Sequence, residues 1–76
     1  MKRFCVFYGA EYEVGLGLEG LDGRFKTLSE AKQHVKDVLA GKIKRDCFEW
    51  WNIGDIISEK TIIQDYDYRD DPTILD

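Results

Sequence analysis

The sequence predicts an α+β fold, a small antiparallel sheet of three or four strands with one helix packed on one face, in ββαββ or βαββ order. Three observations predict it. A capping signature opens a helical stripe in mid-chain, runs of aromatic and branched residues flank that stripe, and turn residues separate the runs.

Each element follows from its own residues. Lys2 to Tyr8 is rich in aromatic and branched side chains and stops at Gly9, so it reads as a strand. Glu11 to Val14 is either its continuation or a second strand. Gly15 to Gly23 holds four glycines in nine residues and reads as a loop. Thr27-Leu28-Ser29-Glu30 fits a capping box, in which the hydroxyl and the carboxylate each satisfy a free backbone N–H. Leu28, Ala31, Val35, Val38 and Leu39 then recur at helical spacing and form one stripe. Gly41 is the stop signal, and Lys42 suits the negative end of the helix dipole. The predicted helix therefore runs from Leu28 to Leu39. Cys47 to Ile53 reads as the next strand, interrupted at Gly54 and prolonged past a bulge there by Ile56 and Ile57. Ser58-Glu59-Lys60 makes a turn, and Thr61 to Tyr68 is the last strand. Residues 1–68 are expected to form one domain, and residues 69–76, with Pro72 and dense acid, a frayed C-terminal tail.

The stretch Phe25-Lys26-Thr27-Leu28-Ser29-Glu30-Ala31, followed by Trp51-Asn52-Ile53, is similar to short ββαββ proteins of phages and mobile elements. The shared feature is a pattern of capping and strand pairing. It implies a fold and assigns no functional residue.

Size and charge narrow the function classes. A chain of 76 residues buries only about 60% of the surface that it exposes when unfolded. Its two Trp, four Tyr and four Phe must supply most of the core. Cys5 and Cys47 lie in apolar runs and read as small buried hydrophobes rather than as a disulfide. The apolar stretch after Met1-Lys2-Arg3 is short and is followed at once by Glu11 and Glu13, unlike a signal peptide. No stretch approaches the roughly 20 apolar residues of a membrane span. The expected location is cytoplasmic, with no membrane partner. Net charge is −4 and uneven, about +3 through Arg45 and −7 from Asp46 onward. Backbone binding to nucleic acid needs clustered Lys and Arg, so direct nucleic-acid binding is not expected.

Four motifs suggest chemistry, and each fails on spacing. Gly15-Leu16-Gly17-Leu18-Glu19-Gly20 matches G-x-G-x-x-G, but the helix starts seven residues after Gly20, too late for its N-terminus to face a pyrophosphate. Asp65, Asp67, Asp70 and Asp71 suggest a calcium loop. Counted from Asp65, however, position five is Arg69, six is Asp70 and twelve is Asp76. His34 is the sole histidine and flanks the helical stripe, which places it at the edge of the core and away from any zinc spacing. A Cys–His nucleophilic pair would need Cys5 or Cys47 exposed beside His34, whereas apolar surroundings raise a thiol pKa. The expectation is no enzyme, no cofactor and no metal.

The strands themselves carry the remaining signal. Alternation sends Phe4, Val6 and Tyr8 to one face and Cys5 and Phe7 to the other. It likewise opposes Phe48 and Trp50 to Cys47, Trp51 and Ile53, and Ile62 and Tyr66 to Thr61 and Ile63. Parity leaves open which of Trp50 and Trp51 meets the helix. Both faces are apolar and one helix covers only one of them; the other is expected either to be covered by the loop residues Leu16, Leu18 and Leu21 or to lie at a homodimer or partner interface. The expected function is a small acidic protein-binding module, using the aromatic sheet face and the acidic edge. Its candidate partner-binding residues are Trp50, Trp51, Tyr66, Tyr68, Asp65, Asp67, Asp70 and Asp71. A phage- or mobile-element inhibitor of a nucleic-acid-binding or defence protein fits that description. The alternatives are a structural homodimer and a small-ligand sensor.

Overall fold

The helix forms where its capping residues place it. A computed structural model describes residues 1–9, 21–46 and 48–76, and in it α1 spans Leu28–Leu39. The Thr27 hydroxyl accepts the Glu30 N–H at 3.1 Å and donates to the Glu30 carboxylate. At the other end Gly41 sits in the left-handed region at φ 81°. The Lys42 N–H reaches back to the Asp37 carbonyl at 2.9 Å, which closes the helix in a Schellman manner.

Four strands make one antiparallel sheet: β1 (Phe4–Gly9), β2 (Leu21–Phe25), β3 (Trp50–Asp55) and β4 (Lys60–Gln64), in spatial order β2-β1-β3-β4. The expected α+β fold is therefore observed, with four strands and α1 packed on one face. In the central pair Val6 lies opposite Ile53, Tyr8 opposite Trp51 and Phe4 opposite Asp55. Directly opposed residues share a face. That face receives Ala31 and Val35 of α1, and Val6, Ile53, Ala31 and Val35 are fully buried. Trp51 is 3% exposed and belongs to this core. Its neighbour Trp50 turns to the other face, where its indole lies on Gly9 so closely that a Cβ there would come within 2.5 Å of the ring.

Five details depart from the sequence expectations. The run Gly15 to Gly23 is not all loop, because Leu21–Phe25 is β2; Glu11 to Val14 and Gly15 to Gly20 lie outside the described residues. Gly23 pairs with Val6, and the Phe25 ring folds to 2.9 Å from where its Cβ would be, so a side chain there would displace that ring. The last strand ends at Gln64, and Asp65–Asp70 forms a short helix, α2. The cause is local: the Asp67 carboxylate accepts the Gln64 N–H at 2.9 Å and so starts a helical turn. The C-terminal segment is not a loose tail. Pro72–Leu75 forms a 3₁₀ turn that buries Leu75 to 3% exposure against the same core. Phe48 precedes β3 and escapes its alternation, stacking on Tyr8 with ring centroids 5.2 Å apart. Leu39 stays 42% exposed, since the buried stripe centres on Ala31, Val35 and Val38 and leaves it on the shoulder. Two helical elements and the 3₁₀ turn thus share the covered face.

This placement makes the adjacent tryptophans unequal. Trp51→Ala empties a core position and should cost about 3–5 kcal/mol, a large fraction of the 5–15 kcal/mol typical of a domain. Trp50→Ala should keep the cooperative transition. Chemical denaturation of both variants, followed by far-UV circular dichroism, measures the difference; equal losses would contradict the assignment of Trp51 to the core.

Candidate partner-binding surface

The eight residues singled out from the sequence do not form one site. Trp51 and Tyr68 meet edge to face with ring centroids 6.1 Å apart and pack in or against the core. Asp67 and Asp71 are helix caps. Asp71 accepts the Thr73 hydroxyl at 2.6 Å and the Thr73 N–H at 3.1 Å, and these bonds hold its carboxyl below the usual carboxylate range. Asp65 pairs with Arg69 at 3.3 Å, one helical turn away. Tyr66 and Asp70 are exposed. Trp50 is half-buried, and its indole N–H is enclosed without an acceptor among the described residues. Trp50 and Asp65 line one hollow with Glu49 and Arg69.

Two buried acids, neither a candidate from the sequence, tie the elements together. Asp55 ends β3 on the core face, and Arg3 clamps it with two hydrogen bonds, at 2.8 Å from Nε and 2.6 Å from Nη2. The Ile57 N–H donates to the same carboxylate at 2.9 Å. The Arg3 guanidinium, first among these partners, holds the Asp55 carboxyl far below the usual range against the opposing effect of burial. Asp22 is the other. The β1–β2 register passes from Val6–Gly23 to Phe7–Leu21, so Asp22 is the extra residue of a bulge. Bulges re-aim side chains, and this carboxylate turns to His34 of α1. It meets the ring Nε2 at 2.8 Å and the Arg45 Nε at 2.6 Å. The Asp22 side chain is 3% exposed, and the imidazole packs on Phe25 with centroids 5.0 Å apart. His34 does sit at the core edge, with an aspartate as its partner. Cys5 is buried in the sheet, and Cys47 lies outside the described residues.

Three of the exposed large apolar side chains lie at the β3–β4 end, the others among the described residues being Met1, Leu39 and Tyr66. Ile56 and Ile57 in the turn are 42% and 57% exposed, and Ile62 on β4 is 38% exposed. Ile62 is the unpaired residue where the β3–β4 register shifts, from Ile53–Ile63 to Gly54–Thr61. The expected bulge near Gly54 is therefore real, with the extra residue on the opposite strand. The turn that carries the isoleucines is pinned. Ile56 gives its N–H to the Arg3 carbonyl at 3.1 Å and Ile57 gives its own to Asp55. Beside them a hollow of about 350 Å³ is lined by Phe7, Asn52, Gly54, Asp55 and Thr61 together with Ile56, Glu59 and Lys60. Composition alone hides this surface. The only sequence signal was an Ile-Ile pair running into Ser58-Glu59-Lys60.

No family model matches the chain at a significant level, and neither does any curated protein or solved structure. Among the described residues no helix is long and apolar enough to cross a membrane.

The Arg3–Asp55 clamp gives stability a defined pH dependence. The carboxyl's folded pKa is depressed, so its contribution is complete above the unfolded value of about 3.9 and is lost as pH falls toward the folded value. Wild type should therefore be more stable than Asp55→Asn at pH 7, and the gap should close steadily below about pH 4. Urea unfolding of both proteins across pH 2–7 checks this. A gap independent of pH would show that the clamp acts without its charge.

Proposed function

We propose that this protein acts by binding another protein through the apolar surface at the β3–β4 end, with the acidic C-terminal half steering the approach. The observation that carries the reading is the exposure of Ile56, Ile57 and Ile62, the first two with their N–H groups held by Arg3 and Asp55. Large aliphatic side chains displayed on a fixed turn lose little freedom when a partner covers them. Apolar residues clustered at the surface, with polar groups around them, are the usual form of an interaction site.

Charge favours a foreign partner over a second copy. From Asp46 onward the chain carries nine Asp and Glu against Lys60 and Arg69, and Arg69 is paired with Asp65. Capping acids such as Asp67 and Asp71 still contribute their charge to this field. Two such halves repel at close range, whereas a basic protein surface is attracted and its association accelerated. A protein that binds nucleic acid presents such a surface. An inhibitor of that kind of protein, encoded by a phage or mobile element, is the form of this reading that best uses the charge.

Ile57→Glu should leave the melting temperature within a few degrees, since the side chain is exposed and the substitution lies outside the core. It should abolish recovery of a partner from lysate of the native host, while wild-type protein retains it in a manner that 0.5 M salt weakens. Equal recovery by wild type and variant would remove the reading. A concentration-dependent dimer in sedimentation velocity, broken by Ile57→Glu, would replace it with self-association.

A further inference from the structure

No further inference is drawn: the strongest candidate, the outer edge of β4 at the end of the sheet, where Lys60, Thr61 and Ile62 are exposed, adjoins the surface already described, and nothing in the structure shows what covers it.

Discussion

Val6 lies directly opposite Ile53 at the centre of the sheet, both fully buried, and the remaining structure depends on that pairing. Strand residues alternate with a period of two, so a one-residue slip would exchange the faces of β1 or β3. The slip would drive Asn52 and Trp50 into the core and expel Trp51. Contacts at both ends hold the register. Glu49 donates its N–H to the Gly9 carbonyl, and Tyr8 stacks on Phe48. At the opposite end Arg3 grips Asp55 and Ile56 bonds back to Arg3. A thin core is thus backed by a register that charge and aromatic stacking both specify.

The elements that were legible in the sequence are those whose signals are local. Thr27, Glu30 and Gly41 bracket α1, and a stripe at helical spacing lies between them, so both its bounds could be read directly. The strands β1 and β3 followed from dense aromatic and branched residues. What escaped was decided by distant contacts. Leu21–Phe25 pairs with β1 although its glycine signals a loop, and the Phe25 ring occupies the space left by the missing Gly23 side chain. Asp65 to Tyr68 alternates acid and aromatic as an edge strand would, yet the Asp67 cap and the burial of Tyr68 against Trp51 make it helical. Leu75 reads as part of an acidic tail until the core that receives it is known.

The candidate surface was less legible than the fold, for a related reason. Sequence reasoning treats aromatic and acidic residues as material for a binding site. In the structure many of those same residues are consumed by stability. Trp51 fills the core and Tyr68 packs against it, Asp67 and Asp71 cap helical turns, and Asp22 and Asp55 anchor His34, Arg45 and Arg3. The surface they leave behind is made by plain isoleucines and a glycine, residue types that rarely stand out when a sequence is read alone.

The two bulges show how one irregularity of backbone serves opposite ends. Each inserts a single extra residue into an edge strand, Asp22 in β2 and Ile62 in β4. At the β2 end the extra residue turns inward, and its carboxylate is spent on α1 and on Arg45 in the segment that follows it. That end is closed by its own polar contacts. At the β4 end the extra residue is an exposed isoleucine, with two more in the adjoining turn. Those two are held by N–H groups bonded to Arg3 and Asp55, so their exposure is imposed by the fold rather than by slack in a loop. The chain's own contacts hold that turn in place with the isoleucines outward.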